Sequence, residues 1–148
     1  FFLREDSDKP IVLLASGTGF APVKAIVEHM RFKGITRPTV LYWGCRSLAD
    51  LYMHDWCVEA ARTMPSLRYV PVLSEPRPDD DWQGRVGFVH RAVMADLPDL
   101  SAHEVYACGA PAMIDAARAE FVERGLPAEE FFADAFTFAP VASAPALD

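Results

Sequence analysis

The chain has 148 residues, of which 51% are hydrophobic and 24% charged, and its formal net charge is -7. That length fits one domain with a real core, and that balance excludes a disordered segment. The negative charge and the lack of any Lys/Arg block argue against a nucleic-acid partner, although backbone N–H groups and one or two Arg can still hold a small anion locally.

Phe1-Phe2-Leu3-Arg4-Glu5 reads as the tail of a folded unit that precedes it. Ile11-Val12-Leu13-Leu14-Ala15 is continuously apolar, as a parallel strand buried on both faces requires, and is too short to cross a bilayer. No secretory signal is visible, so no membrane partner is expected. A glycine turn follows. Val23, Ile26, Val27 and Met30 then share one helical face, with Gly34 as a natural stop. Thr39 to Trp43 is the second strand, broken by Gly44. Leu48, Leu51 and Tyr52 begin a second helix that runs to about Arg62, with Asp50 favourable in its first turn.

The third strand covers Arg68 to Leu73, with Leu67 an equal candidate for its first residue. Pro76, Pro78 and Asp79-Asp80-Asp81 form a polar loop, in which the aspartates read as solvated rather than metal-binding. Val89, Ala92 and Val93 mark a short third helix, and Val105 to Cys108 the fourth strand. Pro111 sits where a first-turn proline is welcome. Ile114, Ala117, Phe121 and Val122 give the fourth helix its buried face, and Gly125 ends it. Phe131 to Phe136 is the last strand, its phenylalanines core residues, and the Ala/Pro-rich tail after Pro140 is expected to be mobile. Strands alternating with helices predict an α/β fold: a doubly wound, five-stranded parallel sheet flanked by helices.

Ligands of such a sheet bind beyond the carboxyl ends of its strands, at the topological switch. Four strand ends are unusual. Ser16-Gly17-Thr18-Gly19 lets a backbone approach a pyrophosphate at a helix N-terminus, but Pro22 replaces the third glycine of the dinucleotide fingerprint and no Gly-Lys-Ser/Thr follows. The same glycines also suit a tight turn that binds nothing. Gly44-Cys45-Arg46-Ser47 offers an Arg for a ribose phosphate or an adenine face, or a solvated surface Arg. Ser74-Glu75-Pro76 is the third. The fourth, Cys108-Gly109-Ala110-Pro111, puts a thiol at a strand-to-helix junction, where a helix N-terminus lowers a thiol pKa, or where Cys simply packs as a small core residue.

Cys45, Cys57 and Cys108 form no C-x-x-C pair or metal-ligand spacing, which suits a reducing, cytoplasmic setting. His29, His54, His90 and His103 share no spacing and read as surface or structural residues, so no metal site is expected.

Together the four ends, with Tyr42-Trp43-Gly44-Cys45-Arg46, Asp50-Leu51-Tyr52, Trp82-Gln83-Gly84-Arg85-Val86-Gly87 and Tyr106 to Met113, resemble the nucleotide domain of the ferredoxin–NADP reductase superfamily in order and spacing from about Phe1 to Phe138. Within it the chain is similar to iron–sulfur flavoprotein reductases, among them oxygenase reductase components and CDP-6-deoxy-3,4-glucoseen reductases. The resemblance implies an NAD(P)H-binding domain over residues 9–138. It also implies a linker end from an FAD-binding barrel over 1–8, a flexible tail over 139–148, and a [2Fe-2S] domain elsewhere in many such proteins. The implied reaction passes hydride from NADH or NADPH to FAD, and then single electrons to an iron–sulfur centre or acceptor protein. Gly17, Thr18 and Gly19 would cradle the pyrophosphate and nicotinamide side, Arg46 and Ser47 would meet the adenosine ribose, and Pro22 and Gly44 would belong to the same cofactor site. Cys108 and Gly109 would flank the nicotinamide, and Met113 the adenosine. Asp134 and Phe136 would stand near the flavin. NADH is favoured over NADPH, because Arg46 has no second cation close by before Arg62, and no acidic ribose clamp ends strand 2.

The end, Asp134 to Phe138, is also similar to reductases of free flavin, which tend to lack a cysteine at the Cys108 position. Two other classes stay open: a cysteine hydrolase built on Cys108 with a histidine base, and a non-catalytic nucleotide sensor.

Overall fold

The computed structural model describes residues 1–135. Its strands are β1 (Ile11–Ser16), β2 (Thr39–Cys45), β3 (Leu67–Leu73), β4 (Arg85–Val86), β5 (Glu104–Gly109) and β6 (Phe131–Ala135). Its helices are α1 (Phe20–Lys33), α2 (His54–Thr63), α3 (Val89–Asp96) and α4 (Pro111–Glu123). All strand pairs are parallel, in the order β4-β3-β2-β1-β5-β6. Among the described residues no helix is long and apolar enough to cross a membrane.

The apolar run of β1 divides between two cores, as period-2 geometry requires. Ile11, Leu13 and Ala15 join Val23, Ile26, Val27 and Met30 of α1 and Cys57 and Ala60 of α2 on one face. Val12 and Leu14 join Val89 and Val93 of α3 and Ile114, Ala117 and Phe121 of α4 on the other. Gly34 closes α1 at φ 69°, the left-handed value that favours glycine. Pro111 opens α4.

Four expectations need correction. The sheet has six strands, because the two-residue β4 adds an edge to β3; so short a pairing leaves no periodicity to read. Leu48 to Tyr52 does not begin α2: Leu48–Asp50 form a separate single turn, fixed by a Ser47–Asp50 capping box, and the helix starts at His54. Val122 is 41% exposed, since Phe121 alone turns inward at that level of α4. The aspartate run is not wholly solvated: Asp80 accepts hydrogen bonds from the backbone N–H of Arg77 (2.9 Å) and of Leu48 (3.2 Å), tying the loop to the turn after β2. Phe136 and the tail lie outside the described residues. Leu67 is the first residue of β3.

Asp96, at the end of α3, fastens the β4 edge. It accepts a hydrogen bond from Arg85 Nη1–H at 3.0 Å, forms an ion pair with the same guanidinium, and accepts one from the buried Tyr42 hydroxyl (2.9 Å). The Arg85 hydrogen bond holds the Asp96 carboxyl below its ordinary value of 3.8, against the opposing effect of burial. With a depressed folded-state pKa, this stabilisation is complete above the unfolded value and fades as pH falls through the folded one. Asp96→Asn is therefore expected to flatten the loss of stability below pH 3.8. It should also speed exchange of the Gly87 amide, which donates to Leu73 O beside β4. Urea titrations across pH with amide exchange check this; an unchanged acid limb assigns the acid loss to other carboxylates.

Candidate functional site

The register brings the unusual strand ends to one level. Ser16 lies opposite Gly44, Ala15 opposite Cys108, and Cys108 opposite Asp134. The helix after β1 packs on one face of the sheet and the helix after β5 on the other. The topological switch therefore falls between β1 and β5, and a crevice opens there.

The glycine turn is a single tight turn, Gly17–Gly19, that runs directly into α1. Gly17 has φ 54°, which a side chain tolerates poorly. At Gly19 a Cβ would stand 2.3 Å from the carbonyl oxygen of Cys108, so only glycine lets the turn cross β5 this closely. The turn is propped from beneath by Trp43, which is fully buried, stacks on Phe20 at 4.1 Å and donates its indole N–H to Gly17 O at 2.9 Å. The backbone N–H of Ala110 donates to Ser16 Oγ at 3.1 Å, tying the β1 and β5 ends together.

Above this crossing lies a cleft of about 890 Å³. Three helices begin on it, at Phe20, Val89 and Pro111, and none of the three has a side-chain cap. Their dipoles favour an anion in the cleft, although Pro22 and Pro111 carry no N–H and the amides of Phe20 and Arg91 are bonded to Thr18 O and Phe88 O. Its lining is mostly apolar, with Arg46 and Arg91 as cations and Asp50 and Glu120 as carboxylates.

Of the residues singled out in the sequence, Gly17, Thr18, Gly19, Gly44 and Arg46 line the cleft, as do Gly109 and Met113. Pro22, Ser47, Cys108 and Asp134 do not. Pro22 is half-buried in the first turn of α1. Ser47 is 5% exposed and spends its hydroxyl on Asp50 at 3.2 Å, so it supports Asp50 rather than facing the cleft. Cys108 is fully buried beneath Gly109, and Asp134 is half-buried one strand further on. Phe136 lies outside the described residues.

Sequence reasoning missed Asp50, Phe88, Arg91 and Glu120 as lining residues. It also missed Val89, whose Cβ would be 2.6 Å from a Cβ on Gly44. A glycine at a strand end marks a close approach, but nothing local names the approaching helix.

The Cys108 thiol is not activated by α4. Burial and, to a lesser degree, the nearby charge of Asp134 push it up to about 11. Burial likewise raises Cys45 and Cys57 to about 12. Three histidines have side-chain partners: His29 with Glu5 (2.8 Å), His54 with Tyr69 (2.9 Å), and His90, which lines the cleft, with Glu120 (3.1 Å). His103 keeps a buried Nδ1 without a partner. A thiol raised in this way disfavours the thiolate that a cysteine hydrolase needs.

Residues 13–119 match the family model of the oxidoreductase NAD-binding domain. The chain is 50% identical over 136 residues to the CDP-6-deoxy-L-threo-D-glycero-4-hexulose-3-dehydrase reductase of Yersinia pestis, covering 92% of this chain and 40% of that protein. It is 38% identical over 138 residues to the NAD(P)H-flavin reductase of Vibrio harveyi, covering 93% and 57%. Among solved structures it is similar to the Amycolatopsis cytochrome P450 reductase GcoB, with a TM-score of 0.81 and 34% identity over 89% of this chain and 39% of that one. It is also similar to the ferredoxin reductase of carbazole 1,9a-dioxygenase, with a TM-score of 0.77 and 26% identity over 93% and 40%. The chain thus spans 40% of the length of the Yersinia relative.

Two outcomes follow from the crossing. Gly19→Ala should cost about 3 kcal/mol or more, because backbone must move, whereas Gly17→Ala should cost about 1 kcal/mol. Denaturant unfolding compares them, and equal losses would place the tight contact elsewhere. Second, Cys108 should resist iodoacetamide at pH 8 in the folded chain and react on unfolding, as mass spectrometry of the alkylated peptides will show.

Proposed function

The chain belongs to the oxidoreductase NAD-binding domain family, and from that premise we propose that it binds NADH across the cleft and presents the nicotinamide to an FAD held by a preceding domain of the same protein. The observation that carries this reading is the convergence of three uncapped helix N-termini on one cleft, above a turn where Gly19 leaves no room for a Cβ. A diphosphate fits that arrangement, and the size and apolar lining of the cleft suit the flanking rings.

In this reading Gly17, Thr18 and Gly19 bind the pyrophosphate through backbone N–H groups. Pro22 contributes only by holding the first turn of α1. Arg46 meets the adenosine ribose beside Gly44, Ser47 acts by fixing Asp50, and Met113 packs against the adenosine. Gly109 gives the nicotinamide a surface without a side chain, and Cys108 beneath it supplies a small, neutral support. Asp134 faces the flavin side. FAD, when bound, accepts a hydride and releases electrons singly, to an iron–sulfur centre or an acceptor protein. The greater length of the relatives supports a flavin domain joined through residues 1–8, with the nucleotide domain over 9–138 and a tail over 139–148. Three free cysteines fit a reducing, cytoplasmic setting.

NADH is the preferred dinucleotide. A 2′-phosphate wants two or more cations near the ribose. Beside Arg46 stands Asp50 instead, and Arg91 comes from α3 with Glu120 also in the cleft.

Tryptophan fluorescence tests the reading, since Trp43 lies directly under the glycine turn. NADH should quench it saturably and about tenfold more tightly than NADPH, Gly17→Val should abolish binding with the fold retained, and Arg46→Ala should weaken it about tenfold. Undiminished binding by Gly17→Val moves the dinucleotide off the turn, and equal affinity for the two cofactors overturns the preference.

A further inference from the structure

At the opposite end of the strands from the cleft lies a buried polar cluster that the binding of a dinucleotide does not use. Arg37, in the loop between α1 and β2, has a side chain only 9% exposed, and Glu104, the first residue of β5, one only 2% exposed. They pair at 2.9 Å. The remaining donors of Arg37 go to the chain's first residues: Nε–H to Lys9 O at 2.9 Å and an Nη1–H to Arg4 O at 2.7 Å. The Tyr106 hydroxyl donates to the same Glu104 oxygen at 2.8 Å and accepts the backbone N–H of Arg4 at 2.9 Å. The Arg4 guanidinium lies 5.1 Å over the ring of Phe132, which itself stacks on Tyr106.

One guanidinium and one phenol thus fix both the carbonyl and the amide of Arg4, together with the carbonyl of Lys9. A buried ion pair is rarely the most stabilising filling for such a space; an apolar replacement of similar volume is often as stable. What the pair provides here is direction, because its bonds terminate on the main chain of residues 4–9 at defined angles. Burial by itself would raise the Glu104 carboxyl, but bonds from Ser7, Tyr106 and Arg37 outweigh it and hold the group ionised.

We propose that Arg37, Glu104 and Tyr106 are positioning residues that set the direction in which the chain enters the nucleotide domain, and thereby the placement of the bound dinucleotide against the flavin of the preceding domain. The proposal rests on the functional reading above. The cluster stands roughly 16 Å from the cleft along β5, so it acts on geometry and not on affinity. Hydride transfer is steep in distance: a misplacement of about 1 Å costs on the order of a hundredfold.

The test uses the flavin-loaded full-length protein with Tyr106→Phe, which removes one hydroxyl and keeps the ring stack, and with Arg37→Lys, which cannot reach all four partners of the guanidinium. Three quantities are measured: exchange of the Arg4 amide, the dissociation constant for NADH, and the rate of flavin reduction at saturating NADH. The expected result is faster exchange at Arg4, by about tenfold or more, an unchanged NADH dissociation constant, and flavin reduction slowed at least about tenfold. Faster exchange with undiminished flavin reduction overturns the proposal and leaves the cluster a stabilising contact alone. Flavin that NADH does not reduce in the unaltered protein overturns the functional reading, and the proposal with it.

Discussion

At Gly19 and Cys108 the main chain of the glycine turn rests against the main chain of β5 with no side chain between them. That contact decides where α1 can begin. A Cβ at this point would push the turn outward and carry the helix N-terminus with it, away from the level where α3 and α4 also begin. The surrounding residues act to keep the crossing closed: Trp43 bonds the turn from below, and Ser16 Oγ takes the Ala110 N–H from the side. The cleft is therefore a consequence of a backbone contact, and its walls are largely main chain and small residues.

The parts of the fold that were legible in the sequence are those set by local chemistry. The unbroken apolar run Ile11–Ala15 declares a strand covered on both faces, Gly34 ends α1 because only a left-handed residue closes the helix there, and Pro111 opens α4. The misplaced start of α2 has the opposite cause. Leu48, Leu51 and Tyr52 carry helical spacing, but Ser47 and Asp50 close a capping box around a single turn, and Asp80, thirty residues on, takes the N–H of Leu48. Periodicity records which side chains face inward, and cannot report a distant carboxylate that competes for the backbone.

The candidate site divides in the same way. Gly17, Gly19 and Arg46 follow directly from their strands and could be placed on the cleft from sequence order alone. Arg91 and Glu120 could not, because they reach it only after two crossovers have brought α3 and α4 to the same face. Ser47 and Cys108 stand apart from the lining residues. Both occupy strand ends on the cleft side of the sheet, but Ser47 is buried with its hydroxyl on Asp50, and Cys108 is fully buried next to Gly109.

The acidity of the chain and its affinity for an anionic cofactor do not conflict once the source of the local field is identified. A net charge of -7 disfavours phosphate at long range, but that repulsion is screened within about 10 Å by salt. Helix dipoles and backbone N–H groups act at contact distance and are fixed in the fold, which suits a diphosphate without a cluster of cations. The same logic suits a Cys108 thiol that burial holds in its neutral form. A site that works by orienting a cofactor gains from small, neutral and immobile surfaces, and a reactive thiolate beside the nicotinamide would add charge where the reading proposed here requires none.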